Sequence, residues 1–183
     1  MAILKITTYG NPILRKKVRP VVKIDAGVKK LAQDMIETMH KADGIGLAAP
    51  QIGKSISMFV ADISPIEEES KPLVFLNIEI LESFGSSPYN EGCLSIPGVM
   101  GEVIRPEKIR IRYLDILGKR HEGMAEGVLA RVIQHETDHL NGKLFIDYLT
   151  QETLEPFQPL LKELEQKNKK MLAKKKAAKT ATH

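Results

Sequence analysis

Apolar side chains along this chain recur with two periods. Between Asp25 and His40, Val28, Leu31, Met35 and Met39 fall at three- and four-residue steps, which predicts a helix with one apolar face. Asp25 is placed to cap its start, and Asp43-Gly44 break the pattern after it. His40, near the helix end, is expected to meet loose carbonyls there and to do no chemistry. From Gly127 to Leu140, Val128, Val132, His135 or Glu136, and His139 share a stripe, predicting a second helix that Gly142 stops. A third helix is expected from Leu154 through Met171, with Pro156 and Pro159 restricting its first turn.

Elsewhere the period is two. Ile109, Ile111 and Tyr113 alternate with Lys108, Arg110 and Arg112, the pattern of a half-buried strand. Asp115-Ile116-Leu117-Gly118 then turns the chain into a return strand over Lys119 to Ala125, with His121 on its solvent face. Ile56–Ala61 and Leu73–Leu81 read as further strands. Gly44–Gln51 and Glu91–Gly98, rich in Gly and Pro, read as tight backbone loops, and Ile3–Arg19 as a segment lying over the surface. The predicted fold class is α+β: antiparallel strands packed around the helix that carries His135 and His139.

Length and composition narrow this picture. The chain of 183 residues, 43% hydrophobic and 27% charged, fits one globular domain. No apolar run approaches the ~20 residues of a membrane span, and the first residues lack the pattern of a signal peptide, so a cytoplasmic location is expected. The net charge of +4 is unevenly spread: residues 162–183 hold eight Lys and two Glu, which leaves the rest of the chain slightly acidic. The expected organisation is a catalytic domain over residues 1–166 and an unstructured Lys-rich tail over 167–183. Such a tail is either simply solvated or drawn to ribosomal RNA; neither DNA nor a membrane is expected as a partner.

The chemistry concentrates in Gln134-His135-Glu136-Thr137-Asp138-His139-Leu140-Asn141-Gly142. On a helix, histidines at i and i+4 project together and can share one divalent ion, while the intervening glutamate is placed to handle a proton. A catalytic site of this kind needs a third protein ligand and an open position. The larger metzincin motif would put a histidine at position 145, where this chain has Phe145. Glu155, Glu163 or Glu165 from a downstream helix, or the single cysteine, Cys93, remain as third ligands, and spacing does not choose among them. Asp138 and Gln134 are the expected acceptors that orient the ligating histidines.

Three segments in order, Gly44-Ile45-Gly46-Leu47-Ala48-Ala49-Pro50-Gln51, Glu91-Gly92-Cys93-Leu94-Ser95 and Gln134–Gly142, resemble those of peptide deformylases, and the likeness runs from about Ile3 to Tyr148. The resemblance implies a metal bound by Cys93, His135 and His139, with Fe(II) native and Zn, Ni or Co able to replace it. It implies hydrolysis of the N-formyl group from the initiator methionine of nascent peptides, with Glu136 moving the proton. Gln51 and the Leu94 backbone N–H would donate to the oxyanion. Ile45, Val128 and Val132 would line the methionine pocket, and Gly46 would offer backbone to the substrate. In the loop after the cysteine, an arginine found in some members has no counterpart in Pro97–Gly101, the nearest cation being Arg105, and Arg131 stands where other members carry an aliphatic residue. The rival readings are a His-Glu-x-x-His metallopeptidase that cuts internal peptide bonds, against which Phe145 and the Cys93 segment count, and a non-catalytic module closed around a metal.

Overall fold

A computed structural model describes residues 2–180. Its centre is a five-stranded antiparallel sheet in the order β1-β2-β3-β6-β7, formed by β1 (Gly46–Ala48), β2 (Met58–Ala61), β3 (Leu73–Phe84), β6 (Lys108–Leu114) and β7 (Arg120–Glu126). A separate two-stranded ribbon pairs β4 (Ser87–Cys93) with β5 (Ile96–Arg105).

The helices cover the two faces of the large sheet. Helix α1 (Ala26–Lys41) starts where Asp25 accepts a hydrogen bond from the Val28 N–H, as expected of its cap. It packs Met35 and Met39 on Met58, Val60 and Leu76. Helix α2 (Gly127–Leu140) puts Ala130 and Ile133 against Phe59, Phe75, Ile109 and Ile111 on the opposite face. This explains why all four residues of β2 are buried: neighbours on a strand point to opposite faces, and here both are covered. Each such side chain removed from water stabilises the fold by about 1.5–3 kcal/mol. Gly142, just past α2, has φ +73°, and a Cβ there would meet the Arg15 backbone at 2.6 Å, so the helix stop also lets an N-terminal segment pass close by.

Several expectations are revised. Gly44–Gln51 is not a free loop: it supplies β1 and a 3-10 turn over Ala49–Ile52. Glu91–Gly98 is the end of a β-hairpin, with Cys93 and Ile96 paired across a two-residue turn. After a short helix α3 (Gln151–Leu154) and a 3-10 turn, α4 runs from Gln158 to Thr180. The Lys-rich segment expected to be unstructured from residue 167 is therefore helical as far as it is described; residues 181–183 lie outside the described residues. Lys and Ala are good helix formers, and Leu161, Leu164 and Asn168 give α4 a buried stripe. Asn168 donates from one amide to the carbonyls of Thr8 and Tyr9 and to the Thr8 hydroxyl. The N-terminal segment it grips in turn donates from Thr7 N–H to the Gln51 carbonyl and from Tyr9 N–H to the Ser95 carbonyl. No helix among the described residues is long and apolar enough to cross a membrane.

Candidate active site

The candidate metal ligands come from two elements, a strand and a helix. Cys93 ends β4, and His135 and His139 lie one turn apart on α2. Their ligand atoms all lie within 4.8 Å of one another, with Cys93 Sγ 3.2 Å from His139 Nε2. Among the described residues this is the grouping of three that could hold an ion, and it chooses Cys93 over the downstream glutamates. Glu165 lies instead against Gly10 on the N-terminal segment. The acceptor behind His135 is Glu91, whose Oε2 is 2.9 Å from Nδ1, which leaves the other ring nitrogen to face Cys93.

That acceptor corrects the expectation placed on Asp138 and Gln134. Asp138 pairs with Arg105 and takes the Tyr148 hydroxyl, and Gln134 donates to the carbonyls of Pro106 and Ala130. Glu91 collects four hydrogen bonds: from Arg105 Nε and Nη2, Arg131 Nη1 and His135 Nδ1. Burial pushes its carboxyl up, but the donors from His135 and Arg105 outweigh burial and bring it down to about 2. Burial draws the His135 imidazole down, yet its contacts with Cys93 and Glu91 carry it well above its ordinary value. His139 is held well below its ordinary value by burial and by the charge on His135. Together the thiol and the two imidazoles could hold a divalent cation. A thiolate with two imidazoles suits Zn, Fe or Co.

Glu136 is almost fully buried beside this group, and burial pushes its carboxyl up to about 7. Its Oε2 has no hydrogen-bond partner. Gly46 on β1 makes room for it: a Cβ at that position would lie 2.5 Å from Glu136 Oε1. Gln51 is fixed by accepting the Ala48 N–H at 2.7 Å, which turns its Nε2 to within 3.5 Å of Cys93 Sγ. Leu94 follows Cys93 in the hairpin turn, and its side chain packs on Gly44.

These groups line a cleft of about 350 Å³ between β1 and β4, with Ile45, Gly46 and Val132 among its apolar walls and Tyr89 and Met100 exposed at its edge. Val128, one turn before Val132, lies outside this cleft and lines a neighbouring cavity of about 200 Å³. Ile45, Tyr89 and Arg131 are walls common to both.

The sequence model of the polypeptide deformylase family matches residues 3–155. The chain belongs to that family. It is 47% identical over 178 residues to a peptide deformylase of Mesorhizobium japonicum, covering 97% of both chains. The solved peptide deformylase of Legionella pneumophila superposes with a TM-score of 0.81 at 41% identity, over 94% of this chain and 98% of that one. A plant peptide deformylase superposes with a TM-score of 0.86 at 38% identity, over 92% of each. The deformylase reading thus supersedes the internal-bond metallopeptidase. Sequence reasoning about the site gave no role to Glu91, Arg105 or Arg131, although Glu91 stands two residues before Cys93 in the segment that resembles the family.

Proposed function

We propose that the protein is a metal-dependent peptide deformylase that hydrolyses the N-formyl group of methionine-initiated nascent peptides and releases formate. The observation that carries this reading is the convergence of Cys93 with His135 and His139 beside the buried, unpartnered oxygen of Glu136. Cys93, His135 and His139 hold one divalent ion, Fe(II) in the native enzyme, with Zn, Ni or Co able to take its place. Such an ion would supply Lewis acidity, lowering the pKa of water toward about 7.

The remaining work falls to the chain. Glu136 accepts the proton of the attacking water and passes it to the departing amine nitrogen. A carboxyl raised to about 7 by burial suits both roles near neutral pH. The Gln51 amide and the Leu94 backbone N–H donate to the oxygen of the tetrahedral intermediate, each such donor contributing about 2.7–4 kcal/mol to the transition state. Strand β1 is the sheet edge that lines the cleft, so an extended peptide can add to Gly44–Gly46 by main-chain hydrogen bonds. Ile45 and Val132 then contact the methionine side chain, and Val128 sits at the end of its path, in the smaller cavity. The test is hydrolysis of formyl-Met, acetyl-Met and unblocked peptides by anaerobically purified, metal-analysed protein. Release of formate from the first alone is expected, and cleavage of an internal bond would refute the reading.

The exposed lysines of α4, among them Lys162, Lys167, Lys169, Lys170 and Lys174, form a basic surface for ribosomal RNA in the cytoplasm, where the substrate emerges. Because Asn168 is part of the fold, truncation after residue 173 combined with Lys162→Glu, Lys167→Glu, Lys169→Glu and Lys170→Glu tests this better than removal of 167–183. Ribosome co-sedimentation across a salt series is expected to fall in that variant, and an unchanged bound fraction rejects the role.

A further inference from the structure

We infer that Arg131 is a positioning residue for the metal centre: its guanidinium clamps the β4–β5 hairpin to α2, so that Cys93 faces the two histidines before an ion arrives. The inference rests on the metal-site reading above.

The need for a clamp follows from the construction of the site. Two ligands are fixed relative to each other by one turn of α2, but the third sits at the tip of a hairpin that belongs to a different sheet. A two-stranded ribbon is marginally stable alone, so the placement of Cys93 depends on what the ribbon is fastened to: an apolar cluster on β5, the N-terminal segment at Ser95, and α2 through side chains. Arg131, His135 and Asp138 fall at i, i+4 and i+7 on α2, hence on one face, and all three reach the hairpin. Arg131 reaches furthest. Its Nη1 donates to Glu91 Oε1 and to the Val103 carbonyl, both at 3.0 Å, and its Nη2 to the Ser87 carbonyl. Those acceptors lie at the start of β4, two residues before Cys93, and on the facing strand β5. Glu91 stands two residues before Cys93, across a register irregularity at Gly92–Cys93, so the anchor lies on the last regularly paired stretch before the ligand.

The same contact sets the geometry of His135. Glu91 Oε1 is taken by Arg131 and Arg105, and Oε2 receives Arg105 and the His135 Nδ1–H. Without Arg131, Oε1 loses a donor and the Val103 and Ser87 carbonyls, one on each strand of the hairpin, lose their shared partner on α2. Glu91 is then held by Arg105 and His135 alone, and the tie from the hairpin to this turn of α2 is gone. A planar fork can satisfy three acceptors at once, whereas an ammonium cannot hold the same geometry.

The test is metal dissociation. Wild type, Arg131→Met, Arg131→Lys and Cys93→Ser are loaded with Ni(II), and release to excess chelator is followed spectroscopically. Arg131→Met keeps the apolar stem and is expected to release the ion about ten- to a hundredfold faster, the size seen when an outer partner of a ligating histidine is lost. Arg131→Lys is expected to lie between it and the wild type. Melting curves of the metal-free proteins separate this from general destabilisation, because a role confined to fold stability would lower the melting temperature and leave the release rate unchanged. Release from Arg131→Met within twofold of wild type, alongside fast release from Cys93→Ser, overturns the inference. A lysine variant as slow as wild type overturns the forked clamp as well. Wild-type retention by Cys93→Ser would overturn the metal-site reading instead.

Discussion

Replacing Gly46 by alanine isolates the proton-carrying step from metal binding. The added Cβ would lie 2.5 Å from Glu136 Oε1 and 2.9 Å from Val132 Cγ1. Ordinary contact begins near 3.4 Å, so the carboxylate has to move by about 0.9 Å in surroundings that leave it almost no exposure. Gly46 is outside the left-handed region, so alanine meets no backbone obstacle there and the effect is steric. Displacement of a catalytic group by about 1 Å costs roughly a hundredfold in rate, or about 2.7 kcal/mol of transition-state stabilisation. Steady-state kinetics on a formyl-Met peptide should therefore show kcat down about a hundredfold. Metal content is expected to match the wild type, because no ligand touches Gly46. A kcat/KM within threefold of wild type, with the variant fully metallated, would refute the placement of Glu136 against β1 as the source of its function.

Glu136→Gln should keep its metal and lose at least about a hundredfold in kcat; near-normal turnover would remove the proton role. Glu91→Gln leaves Arg105 and Arg131 facing a neutral group in a buried site, and urea unfolding should show a loss of about 3–5 kcal/mol. The same carboxylate gives a pH signature. Its folded value of about 2 lies below the ordinary carboxyl value of 4.5, so its contribution is present above pH 4.5 and lost as pH falls toward 2. That contribution is about 3 kcal/mol, and Glu91→Gln should flatten the acid limb of the stability curve relative to wild type; parallel limbs would contradict it. Asn168→Ala removes the donor to Thr8 and Tyr9 and should cost about 1–3 kcal/mol in the same unfolding assay.

The two core helices were legible because their apolar residues keep a 3.6-residue period and their ends carry Asp25 and Gly142. The hairpin that supplies Cys93 was not, and β5 shows why. Its burial alternates at Val99, Gly101, Val103 and Arg105, but two of those inward residues are a glycine and an arginine, while the outward ones include Met100 and Ile104. Hydropathy alone reads this as no pattern. The acids and bases around His135 were hidden for a related reason: Glu91, Arg105 and Arg131 look like solvated surface one at a time, and only their mutual pairing makes burial tolerable. In α4, lysine content was taken as a sign of solvation without order, although lysine favours helix and the buried residues fall every third or fourth position. The third candidate ligand depended on where the turn-rich segment Ser83–Pro88 carries the next hairpin relative to α2, and local pattern encodes the turn but not that placement.

The grip of Asn168 on Thr8 spans 160 residues of sequence. During synthesis, the segment that braces Gln51 and Ser95 emerges first and waits for a partner made among the last. The body of the enzyme can therefore collapse around its sheet while this outer strap is still unfastened, and closing so long a loop is a late, slow event. A chain halted before residue 168 would carry Cys93, His135, His139 and Glu136, yet leave two neighbours of the cleft without their outer support.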